Sequence, residues 1–90
     1  MPPPRKSKPR SPDHAALGQA IEMVIAANAK LTRDRVATDS GMDIRRINTF
    51  IRGHGNPSYT TLLRLAAGLD VTLGHLMTLT DTLRGRHADG

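Results

Sequence analysis

The side chains best equipped for chemistry fall in one short run, Asp43-Ile44-Arg45-Arg46-Ile47-Asn48-Thr49-Phe50-Ile51-Arg52. Arginine offers a planar fork of N–H donors, and asparagine offers a donor and an acceptor side by side. Those groups match the major-groove edges of guanine and adenine. The chemistry they suit is recognition by hydrogen bonding, with no bond made or broken. The spacing predicts one amphipathic helix of about two and a half turns. Gly41 and an Asp43 cap open it, and Gly53 closes it. Its inward side carries Ile47, Phe50 and Ile51. Its outward side carries Arg45, Arg46, Asn48 and Thr49.

Other chemistries find no support. His14, His54, His75 and His87 are scattered over separate elements and lack the spacing of zinc ligands. There is no cysteine, which excludes disulfides and thiolate metal sites and is compatible with a reducing compartment. No pair of carboxylates suggests a cleft, and the Ser and Thr residues stand where helix caps already explain them. Gly53-His54-Gly55 lacks the strand–helix setting of a phosphate-cradling loop. Phe50 and Tyr59 are the two aromatics: Phe50 is expected in the core, and Tyr59 partly buried with its hydroxyl near the surface. They are too few for a single-strand stacking platform. The expectation is a protein that is not an enzyme, with no cofactor and no metal.

The elements that must position this helix are short and capped. Pro12 to Asn28 carries Leu17, Ile21, Val24 and Ile25 at helical spacing after a Ser11 cap, with Gly18 inside. Leu31 is a core plug ahead of a Thr32 cap, and residues 33–40 form a second helix with Val36 and Ala37 inward. Gly41 stops it and Met42 plugs the turn. After the loop His54-Gly55-Asn56-Pro57, Ser58 caps a helix bearing Leu62, Leu65, Ala66 and Leu69. Thr72 caps a last one bearing Leu73, Leu76, Met77 and Thr80. Five short helices and no convincing strand make an all-α domain. The pair 33–40 and 44–52, joined by a tight glycine turn, has the form of a helix-turn-helix.

Charge is distributed unevenly. Residues 1–12 hold Arg5, Lys6, Lys8 and Arg10 with no acid, whereas residues 13–80 hold seven Lys/Arg against six Asp/Glu. Residues 1–10 also contain four of the six prolines and no large apolar side chain, so residues 1–11 are expected to be a disordered basic arm. That arm is either a solubilising tail or a contact for phosphates and a minor groove. The folded domain is expected over 12–80 and a frayed tail over 81–90. No apolar run approaches the ~20 residues of a membrane span, and no signal segment follows Met1. A cytoplasmic protein is therefore expected, nucleoid-associated if it binds DNA, with no membrane partner.

The run from Leu17 to Leu76 resembles the lambda-repressor-like, Cro/C1-type (XRE) helix-turn-helix family. The residues that carry the likeness are Leu31-Thr32, Val36-Ala37, Gly41-Met42, Ile47, Phe50, Arg52-Gly53, Asn56-Pro57-Ser58, Thr61-Leu62, Leu65-Ala66, Leu69 and Val71-Thr72-Leu73. The resemblance implies a five-helix lambda-repressor-like bundle that binds double-stranded DNA, in most members as a homodimer on a palindromic operator. By position it implies that Thr32 and Arg33 lie against phosphates and that Ile44, Arg45, Arg46, Asn48 and Thr49 face bases and groove walls. It places Arg52 on the same surface and Asn56 against the backbone. Arg33 stands where the family often has glutamine. Asp43 caps where serine or threonine is common, and places a carboxylate near phosphates, which Arg46 would have to neutralise. Ile44 stands where a polar residue is frequent; it would meet a thymine methyl or belong to a protein-binding surface.

The function these expectations describe is a sequence-specific DNA-binding transcriptional regulator, repressor-like and of bacterial or phage type. It would read the major groove with helix 43–52 and contact RNA polymerase or another regulator. The alternative is a protein-interaction module on the same fold, antiactivator or antitoxin-like, that binds another regulator instead of DNA. The last helix either closes the core or pairs with a second copy of itself through Leu73, Leu76, Met77, Leu79, Thr80 and Leu83.

Overall fold

The computed structural model describes residues 11–88, which form α1 (Pro12–Ala27), α2 (Arg33–Ser40), α3 (Ile44–Ile51), α4 (Tyr59–Gly68) and α5 (Leu73–Ala88). No strand occurs among the described residues. The basic arm, Arg5, Lys6, Lys8 and Arg10 included, lies outside them.

Each helix begins where a short polar side chain takes an orphan backbone N–H. The Ser11 hydroxyl accepts from His14 at 3.2 Å, Thr32 from Arg35 at 3.1 Å, Ser58 from Thr61 at 3.2 Å and Thr72 from His75 at 3.0 Å. Asp43 caps α3 through its carboxylate, which accepts from Arg45 N–H at 2.8 Å. The helix ends are equally local. Gly41 and Gly53 adopt left-handed backbone, with φ of 71° and 82°, and so does Asp70, with φ of 59°. After each of them the next N–H reaches back to close the last turn: Met42 to the Ala37 carbonyl at 2.9 Å, His54 to Thr49 at 3.0 Å and Val71 to Ala66 at 3.0 Å.

The core is the meeting of one face from every helix. Ile21, Val36, Ile47, Leu65 and Leu76 are wholly excluded from solvent, with Phe50 and Leu69 almost so. Leu31 and Met42 plug the two connectors as their positions suggested. α1 packs along α5 and against α3, while α2 packs on α3 and α4. α3 is thus gripped from both sides by its inner residues. On α1 the buried stripe differs from the apolar spacing: Ile25 is half-buried, and Ala16 and Ala20 are fully buried. Alanines at these positions let a neighbouring helix come close where a larger side chain would hold it off.

Two glycines set inter-helix distances. A Cβ on Gly18 would overlap the Ile51 carbonyl oxygen and stand 2.6 Å from that of Phe50. A Cβ on Gly68 would stand 2.8 Å from the Val36 carbonyl oxygen. Gly18 therefore sits where α1 meets the end of α3. Gly68 is the last residue of α4 and lets that helix lie on α2.

α5 departs from expectation at its far end. It continues to Ala88, through the segment 81–88 assigned to a frayed tail, and Leu83 is 2% exposed. The reason is a stripe that runs on: Leu83 follows Leu76 by two helical turns and lands on the same face. Arg84 meanwhile reaches Asp13 at 3.7 Å, which brings the second half of α5 beside the start of α1. Leu83→Ala is expected to cost about 2–5 kcal/mol, the usual range for emptying a buried leucine site. The urea midpoint measures it, and wild-type stability would return residues 81–88 to the tail. Tyr59 also differs. It is 68% exposed, because it is the first residue of α4 and the buried face begins at Thr61.

Candidate nucleic-acid interface

α2 and α3 are joined by Gly41, Met42 and Asp43 alone. Val36, Ala37, Ile47 and Phe50 hold the two helices on one core, with the buried Met42 between them. That leaves the opposite face of α3 outward, with its first turn the least covered part.

Arg45, the second residue of α3, has a side chain 89% exposed. Its guanidinium does not float free. Besides capping the backbone, the Asp43 carboxylate accepts from Arg45 Nε at 3.4 Å and from Nη2 at 3.2 Å. The side-chain bond, followed by the backbone bond, holds the Asp43 carboxyl below its ordinary range, and the same side-chain bond raises Arg45. The pair is therefore doubly ionised at neutral pH.

The cation that neutralises Asp43 is Arg45 and not Arg46. One residue further along, Arg46 is turned by ~100° around the helix. Its guanidinium carbon lies 5.6 Å above the centre of the Phe50 ring, and Nη2 approaches the Thr61 hydroxyl at 3.4 Å. Thr61 in turn bonds the Ser58 cap of α4 at 3.0 Å. Arg46 is exposed, but it is laid along the seam between α3 and α4.

Arg33 joins three helices. It donates through Nη1 to Asn48 Oδ1 at 2.9 Å and through Nη2 to Glu22 Oε1 at 3.0 Å. Asn48 is half-buried, and one lone pair of its Oδ1 accepts from Arg33, which fixes the orientation of the amide and leaves its N–H groups and the second lone pair to offer. Thr49 is half-buried and donates to the Arg45 carbonyl at 2.8 Å, while Arg52 Nη2 stands 3.5 Å from the Thr49 hydroxyl.

Ile44 is half-buried and packs against the core, with the rest of its side chain on the outer face. Thr32 spends its hydroxyl on the α2 cap, and Asn56 is exposed in the loop after α3. On α5, Leu76 and Leu83 are core residues, 0% and 2% exposed, and cannot supply a surface for a second copy. Leu73, Met77, Leu79 and Thr80 are half-buried.

Glu22 and Thr61 hold Arg33 and Arg46 in place, roles that sequence reasoning missed. Both partners are distant in sequence, and no local pattern marks them. The Asp43–Arg45 pair did carry a signal, an acidic cap two residues ahead of an arginine.

With the helices and their outer face in view, the class follows. Residues 25–76 match the helix-turn-helix family, and the chain belongs to it as a lambda-repressor-like, Cro/C1-type member, a class of DNA-binding transcription regulators. Among solved structures it is similar to the restriction-modification controller protein C.AhdI from Aeromonas hydrophila. The TM-score is 0.66 and the identity 30%, over 71% of this chain and 96% of that one. No curated protein sequence matches it.

Proposed function

We propose that this protein is a sequence-specific regulator that lays α3 in the major groove and controls transcription by occupying its operator, in the manner of a repressor. One observation carries the reading: the first turn of α3 projects Arg45 outward, 89% exposed, from a helix fixed on both sides by the core. Helix-turn-helix proteins contact base edges with that part of the recognition helix. Arg46, Arg52, Asn56 and the start of α2 at Thr32 and Arg33 would line the groove walls and phosphates. The protein works where the chromosome is, in the cytoplasm. The restriction-modification controller protein C.AhdI is one form that a protein of this fold takes.

A homodimer on a palindromic operator, its half-sites ~34 Å apart, fits a domain that presents a single reading helix. Leu73, Met77, Leu79 and Thr80 remain the α5 residues open to self-association. RNA polymerase is the natural further partner of an operator-bound protein.

Fluorescence polarisation against genomic DNA fragments at several salt concentrations tests the reading. Binding must weaken as salt rises, because phosphate contacts release counterions. No salt-dependent binding at ~50 mM salt would leave the protein-interaction module. The ion pairs Arg33–Glu22 and Arg45–Asp43, which consume two cations of this face, suit that alternative.

Deleting residues 1–10 removes four cations. The deletion is expected to weaken binding to all duplexes and to flatten the salt slope, by about one unit for each phosphate that is no longer neutralised, with no change in thermal midpoint. An unchanged slope would make the arm a solubility tail.

A further inference from the structure

Three of the polar side chains that the sequence places on the outward side of α3 are constrained in three different ways. Asn48 is held in one orientation by the Arg33 bond to its Oδ1. Arg46 is spread over Phe50 and Thr61. Arg45 is held by Asp43 and nothing else that would hide it.

The manner of that hold is what matters. Asp43 engages Arg45 side-on, through Nε and one N–H of Nη2. The end-on edge of the guanidinium remains open, with both N–H groups of Nη1 and the second of Nη2. Two parallel donors on that edge are the complement of guanine O6 and N7. A free arginine must surrender much rotamer freedom to present such a fork, and it adapts equally well to a phosphate. An arginine already paired along its other edge has given up part of that freedom in advance. The clamp also carries a negative charge, so it makes the same spot unwelcoming to phosphate.

We propose that Asp43 and Arg45 form one reading unit, in which Asp43 is a specificity-determining residue that fixes Arg45 for guanine in each half-site. Arg46 and Asn48 then grip without choosing. This assignment rests on the DNA-binding reading above. It gives Asp43 two opposed effects: it lowers affinity for DNA in general and raises the preference for one base.

Asp43→Asn separates these effects without disturbing the helix, since asparagine caps as well as aspartate does. It removes the charge and the ionic hold on the guanidinium. Full-length wild type, D43N and R45K are each used to enrich bound sequences from a random duplex pool, and affinities for the selected site and for bulk duplex are then titrated. Wild type is expected to select a guanine that R45K no longer selects, since lysine keeps the charge and loses the fork. D43N is expected to lose preference at that same position by roughly tenfold, while its affinity for bulk duplex rises. If D43N keeps the guanine, or if R45K leaves the consensus intact, the assignment is overturned while DNA binding stands. If wild type enriches no sequence, both the assignment and the regulator reading fall.

Discussion

With alanine at both Arg45 and Arg46, the protein is expected to keep its fold and lose its preference for one DNA sequence over another. The stability side is a matter of small terms. Arg45 makes an exposed ion pair, a kind worth about 0–1 kcal/mol. Arg46 lies over Phe50 near the surface, a contact worth about 0.5–1 kcal/mol. Neither side chain is part of the buried set that holds α3, namely Ile47 and Phe50. The helical circular dichroism should be unchanged, with a drop of only a few degrees in thermal midpoint. The binding side is larger. A good bidentate pair discriminates by about 1–3 kcal/mol, and a phosphate contact adds affinity for every sequence. The double substitution also leaves the Asp43 carboxylate without its counter-charge, facing the phosphates. Competition between the selected operator and random duplex should show a specificity ratio lowered by on the order of a hundredfold. A folded double variant that still discriminates as wild type does would mean that α3 is not the reader.

The elements were legible because their signals are local. All five caps, at Ser11, Thr32, Asp43, Ser58 and Thr72, could be read from a short polar residue ahead of an apolar repeat, and all five accept the expected backbone N–H. Gly41 and Gly53 announced left-handed stops, because few other residues take that backbone without strain. The buried face of α3 was equally plain from Ile47 and Phe50. What failed to show was the partnership of long, flexible polar side chains. The family resemblance implied a phosphate contact for Arg33 and said nothing of its partners, Glu22 and Asn48, which come from α1 and α3. Arg46 stood as the cation needed to neutralise Asp43, yet the turn of the helix carries it to Phe50 and Thr61 and Arg45 takes that place. The end of α5 was hidden for a related reason. The apolar stripe was followed only as far as Thr80, whereas Leu83, one turn further on, is buried against the rest of the core.

Gly18→Ala should destabilise the protein, although alanine is the better helix former by about 1 kcal/mol. The added methyl would overlap the Ile51 carbonyl oxygen and lie 2.6 Å from that of Phe50. Both neighbours are backbone, so no side chain can swing aside to make room. Either α1 or the last turn of α3 must move, and overfilling a packed contact costs typically about 1–3 kcal/mol, at times more. The clash therefore outweighs the gain in propensity. Gly85→Ala supplies the control, because nothing lies within 4 Å of a Cβ built there. The same substitution near the end of α5 should be neutral or stabilise by up to ~1 kcal/mol. Urea unfolding of the two variants should thus move in opposite directions. The consequence extends to function, since α3 is aimed by its contact with α1. A shifted α3 carries Arg45 with it, and a misplacement of about an ångström at a polar contact breaks the alignment that a bidentate bond needs. Gly18→Ala is therefore expected to weaken binding to the selected site even at temperatures where the variant is fully folded. Wild-type stability together with wild-type affinity would show that α1 does not set the position of the reading helix.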